Sequence, residues 1–125
     1  MRAIEMFIGG LLILTSPAAF ASDDQQLERN KKTVLAFYEA ALNKKDFDEA
    51  SKYFGARYSQ HNPNAKDGVE GLKGFIAFLK DKFLNDHSEI KKGFADGDYV
   101  ILHVHAVREP NTRGNAIIDI FKLES

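Results

Sequence analysis

Two histidines and one aspartate are the residues of this sequence best placed to do chemistry. His103 and His105 stand two apart in "DGDYVILHVHAVRE", and Asp119 stands in "NAIIDIFKLE". In an extended chain, residues two apart share a face. One face of the segment 99–107 therefore carries Tyr99, Ile101, His103, His105 and Val107, and the other carries Val100, Leu102, Val104 and Ala106. Both faces are largely apolar, which reads as an inner strand covered on both sides, where histidines would be shielded from water. The same alternation groups Asn115, Ile117, Asp119, Phe121 and Leu123 against Ala116, Ile118 and Ile120. An ionised, unpaired carboxylate among isoleucine and phenylalanine costs several kcal/mol. With the two segments paired as an antiparallel hairpin through "REPNTRG", both histidines and Asp119 are expected to face one cavity. Tyr99, Ile117 and Phe121 are then its expected substrate-contacting wall, and His61 and Asn62 of "YSQHNP" its rim.

A carboxyl group in an apolar wall has its pKa raised by desolvation, which suits it to general acid/base work near neutrality. Neighbouring imidazoles can donate to an oxygen that becomes negative as a proton leaves the adjacent carbon. The set fits proton abstraction α to a carbonyl, or protonation and hydration steps of the same kind. Plainer roles stand beside these. A buried histidine often donates to a backbone carbonyl, and Asp119 paired with His105 would satisfy both. Turn chemistry alone accounts for His61 and Asn62. Arg108, Glu109 and Arg113 read as a solvated hairpin end.

His103, His105, His61 and Asp119 offer three nitrogens and an oxygen to a metal, but only the His-x-His pair has ligand spacing, so no metal is expected. The chain has no cysteine, which removes a thiol nucleophile, a thiolate metal site and any disulfide framework. It also lacks a P-loop and a dinucleotide glycine fingerprint, and no cofactor is expected. Net charge is −1 with the two signs mixed along the chain. Without a basic stripe, nucleic acid is not an expected partner.

The elements that must hold these residues are legible from periodicity. "MRAIEMFIGGLLILTSPAAFA" combines a charged start at Arg2, an apolar run from Phe7 to Leu14 and the small-x-small site Ala19-Phe20-Ala21. That is the layout of a secretory signal peptide over residues 1–21, too short for a permanent span. The mature chain, Ser22 to Ser125, is then an exported, periplasmic or secreted, single domain with no stable membrane insertion after cleavage. Leu27, Val34, Leu35, Tyr38, Ala41 and Leu42 form a helical stripe, capped by Ser22 or Asp23. A short helix follows from Phe47 to Phe54, ended by Gly55. A third, in "GVEGLKGFIAFLKDKF", has Asp67 as its cap and Leu72, Phe75, Ile76, Leu79 and Phe83 buried. After Asn85 the period falls to two, with a turn at Asp96-Gly97 and another at "NTRG". Helices first and antiparallel strands afterwards make an α+β domain.

The order of elements, together with "FYEAALNKKDFDEA", "YSQHNP" followed by "DGVEGLKGF", and "DGDYVILHVHA…NAIIDIFKLE", resembles the SnoaL-like proteins. These are polyketide-cyclase-type members of the nuclear transport factor two-like superfamily, and the resemblance runs from Leu27 to the C-terminus. It implies a cone: three N-terminal helices packed on a strongly curved, mostly antiparallel sheet that encloses a pocket. It also implies an acid/base aspartate on a late strand, which Asp119 resembles. A histidine and a polar partner two positions apart on the preceding strand match His105 and His103. His61 and Asn62 resemble rim residues of small bacterial relatives. The family usually has one more strand after "FKLE", which this sequence does not contain, so the resemblance implies a sheet lacking an edge or central strand, with the pocket completed by a second subunit, or a shortened chain. Homodimers are common in such domains, and one is expected here.

Two functions are then open. One is a cofactor-independent enzyme of lyase or isomerase type, polyketide cyclase-like, acting on a small carbonyl compound with Asp119 as base, His105 as donor and His103 orienting it. The other is a module that holds a small apolar molecule in the same pocket without reacting it.

Overall fold

The computed structural model describes residues 18–124. Helix α1 (Ala18–Tyr38) runs directly into a π-helical segment (Glu39–Asn43), followed by α2 (Phe47–Ser51) and α3 (Gly68–Lys82). Strands β1 (His87–Asp96), β2 (Tyr99–Val107) and β3 (Asn115–Lys122) form an antiparallel sheet in the order β1-β2-β3. The fold is α+β, three helices and a three-stranded sheet. Residues 1–17 of the expected leader lie outside the described residues. The expected cleavage after Ala21 falls within the first turn of α1. Neither Ser22 nor Asp23 caps this helix, because the alanines ahead of them are strong helix formers and carry it back to Ala18. Among the described residues no helix is long and apolar enough to cross a membrane.

The strands show which of their faces is covered. Along β2, Val100, Leu102, Val104 and Ala106 are buried, while Tyr99 is exposed and His103 and His105 are half-buried. Val34 and Tyr38 of α1 lie on that inner face with Val100, Leu102 and Val104, and Ile117 and Phe121 join them from β3. Among the described residues no helix lies on the outer face. Ile118 and Ile120 remain 62 % and 66 % exposed there, and Phe94 55 %. The β1–β2 turn is the two-residue loop Gly97-Asp98, one position later than the sequence suggests. Gly97 holds φ at +54°, where a glycine is favoured in a tight hairpin.

Leu35 departs from the expected stripe and is 38 % exposed, because the buried line of α1 steps by four through Asn30, Val34 and Tyr38. Asn30 uses its burial to donate from Nδ2 to the carbonyl of Gly97 at 3.3 Å, tying the helix to the hairpin turn. Asn43, at the end of the π-helical segment, pairs with the backbone of Ser88. Its Oδ1 accepts from Ser88 N–H at 2.8 Å and its Nδ2 donates to Ser88 C=O at 2.9 Å. The Lys45 ammonium, nearly fully buried, meets Asp86 at 2.5 Å and locks the same corner. Ala40, Ala41 and Ala50 are small enough to let α2 and the Leu72–Ile76 stripe of α3 close on this segment. Helix α2 ends at Ser51, shorter than the Phe47–Phe54 expectation, and Asp46 caps it by accepting from Glu49 N–H at 2.9 Å. Phe54 still packs beside it, against Phe47 and Tyr58.

Two glycines in α3 have opposite reasons to be there. A Cβ at Gly71 would collide with the backbone carbonyl of Lys66, where the loop doubles back under the helix, while one at Gly74 would meet nothing within 4 Å. Gly71→Ala should therefore destabilise the protein by about 1–3 kcal/mol through overpacking. Gly74→Ala should stabilise it by about 0.5–1 kcal/mol through helix propensity. Urea unfolding of the two variants beside wild type reads both signs; equal effects would contradict the packing of α3 on its own loop.

Candidate functional site

The β2–β3 register decides what the three chemical residues can share. Leu102 lies opposite Asp119, His103 opposite Ile118, and His105 opposite Ala116. Directly opposed residues in an antiparallel pair project to the same side of the sheet. Asp119 therefore stands on the inner, helix-covered face, and His103 and His105 stand on the outer face. The expected convergence of the two histidines and Asp119 in one cavity is overturned. Each segment's alternation is as the sequence shows, but the register joins the histidine face of β2 to Ile118 and Ile120 of β3. His105 has the plainer role: its Nε2–H donates to the carbonyl of Arg113 at 2.8 Å, bracing the return from β2 to β3. Gly114 beside it holds φ at +70°, and a Cβ there would come within 2.9 Å of that ring nitrogen.

The other expected contacts separate in the same way. Tyr99 is on the outer face, under the ammonium of Lys122 at 5.7 Å. Phe121 is on the inner face but packs edge-on against Phe37 and Tyr38 in the core. His61 is exposed, and Asn62 accepts from Asn64 N–H at 2.8 Å within its own turn. Ile117 lies in the wall of a cleft of about 1110 Å³ between α3 and the inner face of the sheet. Its apolar lining also includes Phe75, Phe78 and Phe83 from α3 and its end and Ala106 from β2, with Arg108 entering just after that strand. Asn64 to Asp67 supply the rim in place of His61 and Asn62. Among the described residues no group of three or more His, Cys, Asp or Glu side chains is placed to hold a metal ion.

Asp119 is the next inward-facing residue of β3 beyond Ile117, about 7 Å along the strand. Burial raises its pKa above the ordinary carboxylate range, and the nearby Tyr38 hydroxyl, a potential donor to the carboxylate, partly offsets the rise. Tyr38 is the last α-helical residue before the π-helical segment, and only 2 % exposed. Its own hydroxyl is pushed well above the usual phenol range, first by burial and then by the negative charge of Asp119. Tyr58 is pushed up to about 12, again by burial first, with Asp67 and Asp119 adding to it. An acid and two phenols, all kept protonated more firmly than in water, thus gather beyond the inner end of the cleft.

Arg108 is the site residue that sequence reasoning missed. Read as part of a solvated hairpin end, it instead lies half-buried in the cleft, its guanidinium 5.4 Å from the ring centre of Phe75 and 5.7 Å from that of Phe83. The signal was present: the inner face of β2 runs 100, 102, 104, 106, and 108 continues it. Tyr38 was visible only as a core residue, because its pairing with Asp119 spans helix and sheet.

A family profile described as a SnoaL-like domain matches residues 34–125. Among solved structures, the chain is similar to an uncharacterised cystatin-fold protein from Novosphingobium aromaticivorans. The TM-score is 0.64 at 23% identity, over 76% of this chain and 88% of that one. It is also similar to TsrD from Streptomyces laurentii, with a TM-score of 0.54 at 20% identity over 82% and 80% of the two chains. No curated protein is significantly similar to it.

The raised pKa of Asp119 sets a pH dependence. Between the ordinary carboxylate value, about 3.9, and the raised native one, the folded protein holds more protons than the unfolded chain. Stability from this group is therefore greatest below that window and declines as pH rises through it. Asp119→Asn should be more stable than wild type at pH 7 and lose that advantage by about pH 3. Urea unfolding at the two pH values checks it; a variant less stable at pH 7 would contradict the desolvation of Asp119.

Proposed function

Given that the chain belongs to the SnoaL-like domain family, we propose that it binds a small, largely apolar carbonyl compound in the cleft between α3 and the sheet, and that Asp119 exchanges a proton with it. The observation that carries this reading is the desolvated carboxyl beside the Tyr38 hydroxyl on the cleft's own face of the sheet. In this reading the ionised Asp119 removes a proton α to the carbonyl, and Tyr38 or Tyr58 donates to the oxygen as it gains charge. The outward-facing His103 and His105 have no part. The class is that of a cofactor-independent lyase or isomerase.

One observation favours binding without reaction. Asp119 lies beyond the residues that form the cleft wall, so only a ligand extending past Ile117 reaches it. The two readings part on one experiment: deuterium exchange at the α-carbon of a panel of small aryl and alkyl ketones, followed by NMR. For the enzyme, Asp119→Asn lowers the exchange rate by about 10²- to 10⁴-fold, while His103→Ala and His105→Ala leave it unchanged. Binding of the ketones with no exchange above the buffer rate supports the module and ends the enzyme.

The bare outer face supports a second part of the proposal: two copies meet across it, burying Ile118, Ile120 and Phe94. The leader pattern supports export, with the mature chain starting at Ser22. Protein recovered from the exported fraction should show that terminus by mass spectrometry and sediment as a dimer. Ile118→Lys with Ile120→Lys should sediment as a monomer. A monomeric wild type would end the dimer proposal, and an unprocessed terminus the export proposal.

A further inference from the structure

We propose that Arg108 is an anion anchor, and that the cleft takes an apolar carboxylate: a hydrocarbon body lying on Phe75, Phe78 and Ile117, with its carboxylate on the guanidinium. This rests on the reading of the cleft as a small-molecule site and names the ligand class for it.

Arg108 follows β2 directly and continues its inward-facing residues, so it enters the cleft from the sheet side while Phe75 and Phe83 enter from the helix side. The two rings lie 5.4 and 5.7 Å from the guanidinium carbon. Aromatic faces attract the cation but accept almost none of its hydrogen bonds, and among the described residues no side chain or backbone group is hydrogen-bonded to its five N–H donors, which leaves them free for a ligand. Among the described residues no carboxylate lies within 4.0 Å of it; the ion pairs are all made by lysines. The two acids on the cleft rim do not serve it. Asp67 is occupied by the N–H groups of Gln60 and Gly68, at 2.6 and 2.7 Å, and Glu70 is exposed in the first turn of α3.

A half-buried cation stacked on rings, with no carboxylate partner among the described residues, in a mostly apolar cleft is a site suited to a counter-anion. The fork of a guanidinium matches a carboxylate in two parallel hydrogen bonds, and ring stacking holds the fork in place before the ligand arrives. Its positive charge also extends inward: it lowers the Tyr38 hydroxyl against the larger effects that raise it. A molecule anchored by its carboxylate at Arg108 therefore points its body along the sheet toward Tyr38 and Asp119.

The test compares 2-naphthoate with its neutral counterpart, 2-acetylnaphthalene, by isothermal titration at pH 7 against wild type, Arg108→Gln and Arg108→Lys. Wild type should bind the carboxylate about tenfold or more tightly than the ketone. Arg108→Gln should erase that preference, so that the two probes bind alike, and Arg108→Lys should retain only part of it. Equal affinities in wild type, or an undiminished preference in Arg108→Gln, would overturn the anchor and leave the cleft as a binding site. Failure of both probes to bind wild type would overturn the anchor and the cleft together. The wild-type ratio alone decides the matter should the variants not fold.

Discussion

The pairing of Leu102 with Asp119 is the contact from which the rest of the site follows. It puts the sheet's one half-buried carboxylate on the face that α1 covers, opposite a leucine with no exposed surface and close to the Tyr38 hydroxyl. A one-residue slip would reverse every side chain of β3, placing Asp119 with His103 and Ile118 and Ile120 in the core. The hydrophobic content of that alternative is similar, so the strand's own composition does not choose between them. The return from β2 to β3 does. Gly114 at positive φ and the His105–Arg113 hydrogen bond fix where β3 begins, and thereby which of its faces turns inward.

The inner face is organised around that carboxyl. The π-helical segment follows Tyr38 directly and ends on Asn43, whose amide pairs with the backbone of Ser88 at the edge of β1. This corner, reinforced by the Lys45–Asp86 ion pair, fixes the last turn of α1 against the sheet and with it the Tyr38 hydroxyl. Phe37, Phe54, Tyr58 and Phe121 fill the space around it with rings. Rings exclude water without offering strong acceptors, which is why burial is the leading cause of the raised pKa of Asp119 and of both tyrosines. Helix α3 rests on the π-helical segment, and the space between its aromatic side and the sheet is left as the cleft.

Much of this was legible in the sequence. Helical and strand periods gave the α+β order of elements, Asp67 its role as the cap of α3, and Asp119 its place in an apolar wall. What the sequence could not show is register. Alternation identifies the two faces of each strand but is symmetric under a slip of one, so it does not tell which face of β3 His103 and His105 share. Alternation carried one step past Ala106 brings Arg108 onto the inner face and into the cleft, although a charged residue near a turn by itself suggests a solvated position. The pairing of Tyr38 with Asp119 links residues far apart in the chain, and no local pattern signals it.

The central claim is that Asp119 is a desolvated acid on the covered face of the sheet. The direct measurement is its side-chain carboxyl carbon shift in a pH titration by NMR, with the resonance assigned by its loss in Asp119→Asn. A midpoint clearly above the ordinary value of about 3.9, moving further upward in Tyr38→Phe, is the predicted result. A midpoint at or below that value, indifferent to Tyr38, would mean that the carboxyl is open to water and that the site described has no acid at its centre.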